Sequence, residues 1–247
     1  MKFRIYYRIH VYHAAEILCE KIQGLGYECE LVTEIGSNEF IYILYCAFAV
    51  PVLPERYIVI QTEIRNTKWF DKHYENILKG ALMIWDYTLA NYDSRYRNKS
   101  TVVTPGFKKL EAKLKDIDCL FYGSINPRRV LKLETLPFKP MIIDDKYGPV
   151  MWDLISRAKI VINLHFYDKS PLETFRINEA LAYGCHVISE PGKDMDKYYH
   201  SVYFAENPDE FGACALKCFS RPFDYELANL DNGNEVEEAI KQLKALV

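Results

Sequence analysis

From end to end the chain repeats one pattern: a short apolar run of strand length, then an amphipathic stretch of helix length. Residues 3–9 alternate like a strand, and residues 13–25 then set Ala14, Ile17, Leu18 and Ile22 on one helical face, with Gly24 and Gly26 near the end. Residues 30–33, 41–48, 57–60, 84–87 and 101–104 read as further strands. Residues 69–83 read as a helix aligned on Phe70, Tyr74, Ile77, Leu78 and Ala81. After Pro105-Gly106 the rhythm restarts, with strands at 118–122, 141–143, 159–166 and 186–189. Helices are expected at 128–135, 151–158, 171–183, 209–219 and 236–246.

Strands that are apolar throughout and separated by helices belong to parallel sheets covered on both faces. The pattern predicts an α/β protein of two doubly wound parallel-sheet halves facing a cleft. Pro105-Gly106 is the natural boundary, which gives domains 1–105 and 106–247. In such sheets ligands bind beyond the carboxyl ends of the strands. Three segments lie at those ends: Gly123-Ser124, the Asp144–Gly148 turn and residues 166–173.

Composition narrows the chemistry. Hydrophobic residues make up 49% of the 247, enough for a real core. The longest apolar stretch, 40–53, is interrupted by Pro51 and too short to span a bilayer. The first residues run straight into a strand, with no signal-peptide pattern. Net charge is -3 and no Lys/Arg run exceeds two residues, which argues against a nucleic-acid partner. None of the seven cysteines forms a C-x-x-C pair, and Cys214 and Cys218 share a helix face as core residues do. These features fit a reducing, cytoplasmic setting. The phosphate-loop, dinucleotide-fold and zinc-protease motifs do not occur, so no metal site is expected.

The most informative stretch runs from Ser170 to Pro191. Ser170, Pro171 and Glu173 have the spacing of an N-cap, a first helical position and a capping box, and Gly184 is the expected stop. A helix start at this edge offers unpaired N–H groups and positive potential to a diphosphate. Arg176, one turn in, suits phosphate oxygens, and Glu179 suits a ribose diol, since a carboxylate accepts two hydroxyl bonds. The plainer readings are a cap for Glu173, a surface ion pair for Arg176 and Glu179, and a core position for His165.

The run Asn178-Glu179-Ala180-Leu181-Ala182-Tyr183-Gly184-Cys185-His186-Val187-Ile188 resembles the "glycosyl transferases group 1" type of C-terminal domain. That domain occurs in GT-B sugar-nucleotide glycosyltransferases, which have two Rossmann-like halves, and the match covers about 118–191. The resemblance implies transfer of a sugar from a nucleoside-diphosphate donor (UDP or GDP) to an acceptor hydroxyl of a glycan or other molecule, without metal or further cofactor. Glu179 then grips the donor ribose, and Thr174, Phe175 and Arg176 face the diphosphate. Gly123, Ser124, Arg128 and Arg129 form the other phosphate-side element, and Tyr147 lies near the base. Acceptor chemistry falls to the first half, where His13 follows the first strand and Glu63 ends another. The family's Glu-x7-Glu spacing is absent, since Glu173 and Glu179 stand closer together. The alternative is a catalytically inactive relative that binds a nucleotide or glycan or serves in assembly.

Overall fold

Runs such as Ile41–Leu44 and Tyr57–Gln61, in which every residue is buried, demand a sheet covered on both faces. The computed structural model describes residues 1–65, 67–68, 70–91, 93–168, 170–228 and 232–246. The chain divides into two units, Met1–Gly106 with Asp231–Val247, and Phe107–Leu230.

The first unit contains β1 (Lys2–Tyr6), α1 (Tyr12–Gly24), β2 (Glu28–Val32), β3 (Ile41–Leu44), β4 (Tyr57–Gln61), α2 (Lys72–Gly80), β5 (Met83–Asp86) and β6 (Ser100–Val102). Its six strands are all parallel, in the order β2-β1-β3-β4-β5-β6. Asp71 starts α2 by accepting the amide of Tyr74 at 2.8 Å. Trp69, where the sequence pattern begins that helix, lies outside the described residues. The first strand ends at Tyr6 rather than residue 9, because Ile9–Val11 winds into a 3-10 turn leading to α1.

The second unit contains β7 (Ile117–Tyr122), α3 (Pro127–Thr135), β8 (Met141–Ile143), α4 (Pro149–Arg157), β9 (Ala158–Asn163), α5 (Thr174–Ala182), β10 (His186–Ser189), β11 (Val202–Phe204), α6 (Pro208–Phe219) and α7 (Tyr225–Ala228). Its parallel order is β11-β10-β9-β7-β8. Counted within each unit, both sheets follow the doubly wound order 2-1-3-4-5, and the first adds β6. Alternate strand residues feed two cores. Leu120, Val161 and Val187 meet Ile155 of α4 and Ile177 of α5. Cys119, Phe121, Ile160, Ile162 and Ile188 meet Leu133 of α3 and Phe211, Cys214 and Cys218 of α6. The expected burial of Cys214 and Cys218 is thereby explained.

The last helix, α8 (Gly233–Leu246), belongs to the first unit, whereas a boundary at Pro105-Gly106 alone places it with 106–247 in the second. Its buried stripe Val236, Ala239, Ile240 and Leu243 packs on α1. Glu235 fixes its start by accepting the Thr104 amide at 2.7 Å, and the Asn232 side chain donates to the Thr104 carbonyl at 2.6 Å. Among the described residues no helix is long and apolar enough to cross a membrane.

Candidate functional site

In the second unit the strand order reverses between β7 and β9, and the carboxyl ends of these two strands hold a cluster of charged groups. Gly123 follows β7 at φ +118°. The guanidinium of Arg176, from the first turn of α5, lies over it: a Cβ there would stand 2.5 Å from Arg176 Nη2. Arg176 Nη1 donates to Asn163 Oδ1 at 2.9 Å and pairs with Glu173. Asn163 ends β9 and donates to Ser189 Oγ at 2.8 Å, so Arg176 is braced through two strands.

Glu173 also accepts from Arg129 Nη2 at 2.6 Å and from the Phe166 amide at 3.0 Å. Burial pushes its carboxyl up, but Arg176 and Arg129 outweigh that and hold it below the usual range, as an anion. This pairing corrects the capping-box expectation. The helix starts at Thr174, three residues after Pro171, and the Glu173 side chain caps no amide. Ser170 Oγ donates back to the Tyr167 carbonyl, and Pro171 bridges to Lys193. The stop is as expected: Gly184 sits at φ +70° and its amide donates to the Leu181 carbonyl at 2.9 Å.

Arg129 is 2% exposed. It donates to the carbonyls of Ser124 and Leu164 at 2.7 Å each, with the ring centres of Phe121 and Phe166 5.5 and 5.2 Å away. Burial, helped by the charge of Arg176, pulls its guanidinium down to about 10, still charged at neutral pH. Arg128 grips Glu190 with both terminal nitrogens, at 2.9 and 2.7 Å, and donates to the His165 carbonyl. Glu190 in turn accepts the His165 amide at 2.8 Å. Both arginines are thus engaged by protein groups. Ser124 and Tyr147 share Asp145 at 3.0 and 3.4 Å, which ties the β7–α3 turn to the β8–α4 turn.

At the helix start, Phe175 is half-buried. Thr174 is 2% exposed, and its hydroxyl has no hydrogen-bond partner among the described residues. A buried hydroxyl in that state costs on the order of 1–3 kcal/mol unless a ligand or water meets it. Glu179, further along α5, is half-buried and accepts the Tyr122 hydroxyl at 3.1 Å. Burial lifts its carboxyl to about 7, against the hydrogen bonds of Tyr122 and Trp152. Two accepted bonds leave lone pairs for further hydroxyl donors. The cations of this edge are matched by carboxylates: Glu173 pairs with Arg129 and Arg176, Glu190 with Arg128 and Lys132, and Asp168 lies 4.0 Å from Arg128.

We compared the chain with known proteins. No protein-family model and no curated protein sequence matches it. Among solved structures it is similar to AviGT4, a glycosyltransferase involved in avilamycin A biosynthesis, with 12% identity over 100% of this chain and 98% of that one, at a TM-score of 0.62. It is also similar to the DNA-modifying enzyme β-glucosyltransferase (12%, 100% and 97%, 0.57). A third is an α-glucosyltransferase bound to UDP-glucose and DNA with an abasic site (10%, 98% and 95%, 0.56). The fold is that of the GT-B glycosyltransferases.

In this GT-B fold the structure joins Gly123, Arg129 and Arg176 in one network with Glu173, and sets Glu179 beside it through Tyr122. Ser124 and Tyr147 stand alongside, and Arg128 turns to Glu190. Asn163, Glu173's pairing and Glu190 escaped sequence reasoning. Their only signal was position at a strand's carboxyl end.

The first unit's strand order reverses between β1 and β3. Beyond those ends, His10 Nε2 lies 3.2 Å from the sulfur of Cys46, a residue at φ +53°. His13 stands in the first turn of α1, edge-on to Tyr12 at 5.4 Å. Glu63, two residues past β4, is half-buried, and burial raises its carboxyl.

Proposed function

We propose that this protein transfers a sugar from a nucleoside-diphosphate donor to an acceptor hydroxyl, with the donor held by the second unit. The observation that carries this reading is the Arg176 guanidinium braced over Gly123 where β7 and β9 part, beside the buried, unmatched hydroxyl of Thr174. The similar structures with glycosyltransferase names support it at the level of fold.

A departing nucleoside diphosphate carries growing negative charge. Arg176 and the Thr174 hydroxyl at the start of α5 receive it, held in place before the reaction begins. Glu179 accepts the ribose hydroxyls, Tyr147 flanks the base, and Ser124 and Phe175 close the phosphate side. Arg128 and Arg129 act by holding Glu190 and Glu173, not by direct charge contact. On the acceptor side Glu63, its carboxyl raised by burial, or His13 takes the hydroxyl proton. The transfer needs no metal in this reading.

The test is release of nucleoside diphosphate from UDP- and GDP-sugars, with a glycan, a small alcohol and duplex DNA as acceptors. DNA is included because one similar structure is a DNA-modifying enzyme and another holds DNA. Arg176→Ala should lower the turnover on the order of 10²-fold. A binding role without turnover is favoured by one observation, the full engagement of Arg128 and Arg129. Failure of even slow donor hydrolysis to water, alongside tight nucleotide binding, would select it.

A further inference from the structure

Away from the strand-order reversal, the carboxyl ends of β4, β5 and β6 line a half-open cavity of about 260 Å³. Phe70, Leu78, Tyr96 and Val102 supply apolar wall, and Asp86 and Asn91 supply polar wall. We propose that this cavity is a binding site for a small uncharged molecule that carries a ring and a hydroxyl group. The inference stands apart from the donor reading, because every residue it uses belongs to the first unit.

Size sets the class of ligand. An apolar cavity of about 150 Å³ accommodates benzene, so this one has room for a substituted or two-ring molecule. Charge narrows it. Arg65 and Arg95 both pair with Asp93, and Arg95 also reaches Glu75 at 3.0 Å, so both cations are taken up by carboxylates. The Arg65 guanidinium is further tied to the Asn91 carbonyl at 3.0 Å. Asp86, the other lining carboxyl, stands outside these ion pairs.

Two buried groups ask for a hydroxyl. Tyr96 is 7% exposed, and its own hydroxyl has no hydrogen-bond partner among the described residues. Asp86 ends β5, where its Oδ1 accepts the Thr88 amide at 3.1 Å and Asn91 Nδ2 at 3.4 Å. A carboxyl group has lone pairs for more donors than these two. A ligand hydroxyl that donates to Asp86 and accepts from Tyr96 satisfies both.

The probe is 2-naphthol, with naphthalene as its hydroxyl-free counterpart, titrated into the full chain by equilibrium dialysis and methyl NMR. We expect saturable one-to-one binding of 2-naphthol, about tenfold tighter than naphthalene, the worth of one or two net hydrogen bonds. The methyl signals of Leu78 and Val102 should shift. Tyr96→Phe, which keeps the ring and the packing, should remove most of the preference for 2-naphthol. Absence of saturable binding, equal affinity for the two probes, or unmoved Leu78 and Val102 methyls would each overturn the proposal. Naphthol binding by a chain that ignores nucleoside diphosphates would leave this site standing and defeat the sugar-transfer reading.

Discussion

Gly123 and Arg176 fit together only because residue 123 lacks a side chain. A Cβ there would stand 2.5 Å from Arg176 Nη2, and the backbone at φ +118° is one that other residues rarely adopt. Gly123→Ala should therefore cost about 1–3 kcal/mol of stability from backbone strain alone. It should also push Arg176 off Asn163. Urea unfolding measures the first effect, and a fall in UDP affinity reads the second.

Arg129 is a strut. Its buried guanidinium serves two main-chain carbonyls and Glu173, so truncation leaves several acceptors unmet. Arg129→Ala should cost on the order of 3–5 kcal/mol, the range for breaking a buried pair from one side. Arg129→Lys should recover only part, since one ammonium cannot match a planar fork with three acceptors. Chemical denaturation of both variants checks the order.

The pH dependence of stability carries a signature of Asp86 and Glu179. Burial lifts each carboxyl to about 7 in the folded chain, from 3.8 and 4.5. Between about pH 4 and 7 the folded state keeps protons that the unfolded chain releases, so these two groups make stability fall as pH rises. His10 and His186, whose pKa partial desolvation lowers, act in the opposite sense, so the reading is a difference between proteins. Asp86→Asn and Glu179→Gln should each gain stability relative to the parent as pH goes from 4.5 to 8. A flat difference across urea midpoints at several pH values would contradict this.

Helix α8 completes the first unit from the far end of the chain. Leu243, fully buried against that unit, should lose about 2–5 kcal/mol on Leu243→Ala. Lys241, on the exposed side of the same helix, should tolerate Ala within about 0.5 kcal/mol. Thermal melts of the pair compare the two.

Much of the architecture was legible in the sequence because burial on both faces writes itself as apolar runs. Ile41–Leu44 and Ala158–Asn163 are examples, and Gly184 marked its helix end by the conformation it alone takes easily. Short-range rules failed where distant groups won. Ser170, Pro171 and Glu173 spell a capping box, yet Glu173 is drawn to Arg129, 44 positions away, and to Arg176. Arg128 and Arg129 looked like one phosphate-binding pair, but Glu190 and Glu173 take them in different directions. The terminal helix carries a clear apolar stripe, which states that it packs but not on which sheet. Asp86 stands inside the run 84–87 that reads as a strand, and nothing local announces a cavity.

The central claim is that Arg176 and the start of α5 form a seat for a nucleoside diphosphate. Calorimetric titration of the full chain with UDP and with GDP tests it most directly. The account predicts one-to-one binding of at least one of them, weakened about tenfold or more by Arg176→Ala and by about 1–3 kcal/mol by Glu179→Ala. Heat-silent, non-saturating titrations with both nucleotides, or equal affinity in the Arg176→Ala protein, would contradict it.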